Sequence, residues 1–141
     1  MEFIIIRIDD SEFKRKEQLD QDDDHEYVSC YAKFFDETCV STWENNSERN
    51  LMFLVQQQRY ANELLKNQDY LFLNDVYDML GMPRTKAGQV VGWIYDEKNP
   101  IGDNCVDFGI YSQRNAEFVN GSETSALLDF NVGGIILDKI L

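Results

Sequence analysis

The stretch LNDVYDMLGMPRTKAGQVVGWIY, residues 73–95, changes its apolar period half-way. Leu73, Val76, Tyr77 and Leu80 recur at spacings of three and four, the signature of one helical face. Asn74 and Asp75 suit the first turn, where negative charge meets the positive end of the helix dipole. Gly81 stands where a left-handed residue ends a helix, and Pro83 prevents continuation. Thr85 to Gln89 has room for one short helical turn. From Val90 to Tyr95 the period becomes two, as in a strand. One helix passing into one strand across a short connection predicts a mixed fold.

Upstream, the pattern from Ser47 to Lys66 is helical. Leu51, Leu54, Val55, Ala61 and Leu65 form one stripe, interrupted by Gln58. Ser41-Thr42-Trp43-Glu44 has the spacing of a capping box, but Asn45-Asn46-Ser47 offers the better helix start. Residues 27–40 are aromatic-rich and read as a strand, as do residues 3–8, Phe-Ile-Ile-Ile-Arg-Ile. Downstream, Val106 to Tyr111 and Ala126 to Val132 read as strands. They are separated by turn residues at Asn99-Pro100, Gly102-Asp103 and Asn120-Gly121. Val106, Phe108 and Ile110 alternate with Asp107 and Gly109, which fits an antiparallel sheet wetted on one face. Gly133-Gly134 turns the chain into a last strand or short helix at 135–137. The expectation is an α+β fold in which two helices pack on a mostly antiparallel β-sheet. At 141 residues, with 43% apolar content, the chain suits a single domain over residues 1–141.

Charge is the strongest compositional feature. Twenty-six acidic residues face 13 basic ones, a formal net charge of −13, well beyond the roughly 2 to 8 charges that keep a small domain soluble. Residues 1–26 hold ten acids and four bases, and 9–26 read as an acidic exposed loop or mobile segment within the domain. Such a surface repels nucleic acid, whose phosphates need Lys or Arg, and attracts a basic cleft. Direct nucleic-acid binding is therefore not expected.

Catalytic and metal chemistry find little support. Cys30, Cys39 and Cys105 are widely spaced and His25 is the only histidine, so the paired ligands of a structural zinc site are missing. Asp20, Asp22 and Asp24 space like the opening of a calcium loop. His25 stands where that loop needs Gly and Tyr31 where it needs Glu, which rejects an EF-hand. His25 with Cys30 or Cys39 lacks the small-residue setting that would expose a thiol nucleophile. Chance carboxylate pairs are unavoidable among 26 acids. No cofactor is expected, and the protein is expected not to be an enzyme. The apolar run at Met1–Ile8 falls far short of the roughly 20 residues that span a membrane. Unpaired cysteines and the absence of a secretion signal point to the reducing cytosol.

The segments YLFLNDVYDMLGMPRTKAGQVVGW (70–93), VDFGIY (106–111), FVNG (118–121) and LLDFNV (127–132) carry a resemblance. With the helix at 47–66, the region 47–141 resembles an uncharacterised domain family found in phages and prophages of Firmicutes. The resemblance implies a phage origin and a soluble domain. Its members often carry membrane-like segments before this domain, and the acidic N-terminal part here departs from that pattern. It implies no catalytic residues.

These readings lead to one functional expectation: a phage accessory protein, of the anti-CRISPR kind, that inhibits a host defence nuclease by occupying its basic nucleic-acid cleft. The candidate partner-binding residues are Asp20, Asp22, Asp23, Asp24 and Glu26, then Asp96, Glu97 and Asp103 in the loop between strands. Trp43, lying among polar residues, is a candidate aromatic anchor, although a packed Trp is the ordinary case. Arg84 and Lys86 could meet an acidic partner, but Gly81, Pro83 and Gly88 give their segment a structural reading. The alternative function is a phage assembly module that self-associates, with a homo-oligomer as its form, or binds other phage proteins. A metal-dependent hydrolase stands third.

Overall fold

The computed structural model describes residues 28–100 and 102–141. The expected strand at 3–8 and the acidic segment 9–26 lie outside the described residues.

The longest element among the described residues, helix α1 (Ser47–Gln68), begins where Asn46 caps it. The Asn46 side chain accepts the Arg49 N–H at 3.0 Å, satisfying one of the amides that a helix start leaves open. Asp69 ends the helix in the left-handed conformation and donates its N–H to the Leu65 carbonyl. Asn50, Leu54, Ala61 and Leu65 are buried. Strand β1 (Lys33–Phe35) precedes this helix. Strand β2 (Tyr70–Phe72) follows it and runs directly into helix α2 (Leu73–Leu80). Gly81 closes α2 with φ +79°, a value that an L side chain rarely adopts. Its N–H donates to Asp78, and that of Met82 to Tyr77, so the last carbonyls of α2 are satisfied. A short 3₁₀ turn at Ala87–Gln89 leads to strand β3 (Gly92–Ile94). A second 3₁₀ turn (Gln113–Asn115), helix α3 (Ala116–Val119), strand β4 (Ala126–Leu128) and helix α4 (Leu137–Ile140) complete the order.

The class is α+β and the strand pairing is antiparallel, but the pairing is not a continuous meander. Among the described residues it forms two separate two-stranded ladders. β2 pairs with β3, Leu71 opposite Trp93 and Phe72 opposite Gly92. The backbones approach so closely there that a Cβ on Gly92 would lie 2.0 Å from the Leu71 carbonyl oxygen. β1 pairs with β4, Phe34 opposite Leu127. The strand expected over 27–40 is therefore only three residues long, and Asp36 ends it by accepting the N–H groups of Thr38 and Cys39.

Residues 106–111 are not a strand. Two of their amides, those of Val106 and Phe108, are taken by side chains of α1. Asn62 accepts the Val106 N–H at 2.8 Å and donates to the Val106 carbonyl at 3.0 Å. Gln58 accepts the Phe108 N–H at 2.8 Å. The polar break in the α1 stripe is thus the docking point for this segment. On the other side, Asp129 and Asn131 donate their N–H groups to Phe108 and Asp107. The expected alternation nevertheless holds for burial, because Val106, Phe108 and Ile110 are all buried.

One apolar cluster joins these parts. It includes Phe35, Leu54, Leu65, Leu71, Tyr77, Trp93, Phe108 and Phe130. Phe130 meets Tyr77 and Phe108 edge-on, at 5.7 and 5.4 Å between ring centres. Burying each such side chain contributes about 1.5–3 kcal/mol, which makes this cluster the principal source of stability. Gly88 has the structural role that its sequence setting suggests, but its neighbour is a helix and not the sheet. It packs on Asn74 of α2, whose Oδ1 would sit 2.1 Å from an added Cβ.

Candidate functional site

The loop joining β3 to residue 108 carries the densest described acidity. Asp96, Glu97, Asp103 and Asp107 fall within twelve residues, with Lys98 the sole base among them. Side-chain hydrogen bonds define its course. Asp96 accepts the N–H groups of Lys98 and Asn99 at 3.0 and 3.1 Å, an Asx-type turn that fixes the start. The Asp96 N–H donates to Asn104 Oδ1 at 2.9 Å, closing the loop on itself.

Asn131 ties that loop to the core. Its Oδ1 accepts both the Trp93 indole N–H (2.8 Å) and the Asp107 N–H (2.7 Å). Its Nδ2 donates to Asp103 Oδ2 (2.9 Å) and to the Cys105 carbonyl (3.0 Å). One amide therefore satisfies the buried Trp93 and holds the two acids on either side of Cys105. Asp107 in turn accepts the Gly109 N–H at 2.8 Å. Partial burial raises the Cys105 thiol above its ordinary range, and the negative charges of Asp103 and Asp107 push it further in the same direction. This is the opposite of what an activated nucleophile needs.

Beside the loop lies a groove of about 230 Å³ lined by Trp93, Val132 and Ile136, with Asp103 and Lys139 among its polar residues. That is below the roughly 300–1,000 Å³ of ordinary small-molecule pockets. The loop therefore offers exposed acids at Glu97, Asp103 and Asp107, with Asp96 half-buried, rather than an enclosed reaction chamber. Among the described residues, no group of three or more His, Cys, Asp or Glu could hold a metal ion.

The structure thus brings Asp96 and Asp103 onto one short loop, with Glu97 exposed between them. It adds Asp107, Asn104 and Asn131, which sequence reasoning did not single out. Trp43 lies elsewhere. Its indole N–H donates to the Thr124 carbonyl at 2.9 Å, and Asn50 donates to that same carbonyl. The half-buried ring packs against the core. Asn50 and Asn62 are twelve residues apart on α1, about 18 Å along its axis, so Trp43 and the acidic loop attach to opposite ends of that helix. Asp20, Asp22, Asp23, Asp24, Glu26 and His25 lie outside the described residues. Arg84 is engaged within the chain, its guanidinium gripping both carboxylate oxygens of Asp78. That contact holds the Asp78 carboxyl below its usual range.

A family model described as a family of unknown function, DUF6353, matches residues 1–140. The chain belongs to DUF6353. The match includes the acidic N-terminal part, so the family reaches well beyond the region 47–141 that carried the resemblance. No curated protein and no solved structure matches this DUF6353 chain. No helix among its described residues is long and apolar enough to cross a membrane.

Proposed function

We propose that this DUF6353 protein is a phage-encoded acidic binding protein that inhibits a host defence nuclease, in the manner of an anti-CRISPR protein. It works in the bacterial cytoplasm by filling a basic nucleic-acid cleft. The observation that carries the reading is the tethered acidic loop. Four carboxylates are presented on a backbone fixed by Asn104 and Asn131, within a chain of net charge −13. Fixing charged groups before contact lowers the ordering cost of binding. Opposite potentials accelerate encounter with a cleft built for phosphates. The acids at 20–26 extend the same charge.

The test is displacement of fluorescent duplex DNA from a purified Cas9-type nuclease, with the wild type set against a variant carrying D96N, E97Q, D103N and D107N. Displacement by the wild type that weakens in the variant supports the reading. Equal displacement by both would remove the loop from the mechanism.

A second reading, a phage assembly module, is favoured by Met52 and Tyr60, two large apolar side chains left exposed along the outer side of α1. A defined homo-oligomer that recovers no nuclease at low salt would favour it.

A further inference from the structure

The outer side of α1 differs in charge from the rest of the chain. The helix carries Arg49, Arg59 and Lys66 against Glu48 and Glu63, a net of +1. Two copies of a −13 protein repel, so they approach at least cost along their least acidic surface. On that surface Arg49, Met52, Gln56, Tyr60 and Glu63 follow one another at spacings of three, four, four and three. At 100° per residue they occupy a sector of about 80°, directly opposite Leu54, Ala61 and Leu65. All five are exposed, Met52 at 56% and Tyr60 at 50%.

We propose that this stripe is a two-fold dimerisation face whose partner is a second copy of the chain. The argument is its self-complementarity. An isologous contact places the same patch on both sides. With the helices antiparallel and the axis passing at Gln56, Met52 faces Tyr60 of the second copy, Arg49 faces its Glu63, and Gln56 meets itself. The apolar pair and the ion pair each occur twice, with no like charges opposed. The stripe from Arg49 to Glu63 runs about 21 Å along the helix. Among the described residues the Arg49 side chain pairs with Glu44 at 3.4 Å in an exposed contact, which is easily exchanged. The face is independent of the acidic loop, and its test uses no nuclease.

Sedimentation velocity on the full chain, across a concentration series in low and high salt, reads the association directly. A reversible dimer is expected, and it strengthens with salt because screening relieves the repulsion between two −13 chains. R49E alone and E63R alone should each weaken the dimer by about tenfold, since each opposes like charges twice. The double variant R49E/E63R should restore it. A second readout is Q56C in a background with Cys30, Cys39 and Cys105 changed to Ser, where oxidation should give a disulfide-linked dimer. A monomer up to about 1 mM in high salt, no cross-linking through Q56C, or a dimer indifferent to R49E would each overturn the proposal.

Discussion

Replacing Asn131 by Ala removes a side chain that makes four hydrogen bonds at 2.7 to 3.0 Å. They are not equivalent. Trp93 is only 3% exposed, so its indole N–H is left without a partner in the core, at a cost of about 2 kcal/mol. The Asp107 N–H, the Asp103 carboxylate and the Cys105 carbonyl belong to exposed residues that water can reach. Losing those bonds costs about 0.5 kcal/mol each. The sum is about 3.5 kcal/mol, a large part of the roughly 5–15 kcal/mol that holds a domain folded. With a urea slope of about 1.5 kcal/mol per M, the midpoint should fall by about 2 M, followed by tryptophan fluorescence or circular dichroism. Asn131→Asp is a sharper control. It keeps Oδ1 but sets an anion against the Asp103 carboxylate and the Cys105 carbonyl, so its loss should shrink as the pH falls and the new carboxyl protonates. A midpoint shift below about 0.3 M for Asn131→Ala would refute the view that this amide ties the loop to the core.

Three further outcomes follow from the same contacts. Burial raises the Tyr77 phenol well above its ordinary 10, with Cys30, Tyr31 and Asp129 adding to the shift. The unfolded chain therefore ionises first as pH rises. Stability from Tyr77 is fully present below pH 10 and should fall by about 1.4 kcal/mol per unit above it, a slope that Tyr77→Phe reduces in alkaline melts. Cys105 should react with iodoacetamide at a midpoint above the ordinary thiol range, and D103N/D107N should lower that midpoint, as read by mass spectrometry of the modified peptide. Gly92→Ala drives a Cβ to within 2.0 Å of the Leu71 carbonyl. It should cost about 3 kcal/mol or more, measured as a drop in melting temperature or loss of soluble protein.

The helices were legible because their evidence is local. The stripe and the Asn45-Asn46-Ser47 start placed α1 within two residues of its end, and the period with Gly81 placed α2 at Leu73–Leu80. The sheet was not legible in the same way. Alternation at 106–110 reports which side chains are buried, and that was read correctly, but it is silent about which groups take the backbone amides. For Val106 and Phe108 those groups are Asn62 and Gln58, 44 and 50 residues away. Likewise Asn115 accepts the Leu127 N–H and donates to the Leu127 carbonyl beside β4. β2 escaped notice because three residues between two helices show no period of their own. Trp43 was read from its polar neighbours, yet one of them, Asn50, shares with it the carbonyl that satisfies its indole. At the candidate site the acids were visible as composition. The Asn131 tether was not, since it joins residues 24 to 38 apart in the chain.

The proposed function is inhibition of a nucleic-acid enzyme by a tethered acidic surface. The most direct measurement is DNA cleavage by a panel of Cas9 and related nucleases, with and without an equimolar amount of the full chain, at rising salt. At least one nuclease should be inhibited near one-to-one. That inhibition should fade as the screening length shrinks from about 10 Å at 0.1 M toward about 3 Å at 1 M. Undiminished cleavage across the panel at low salt would contradict it.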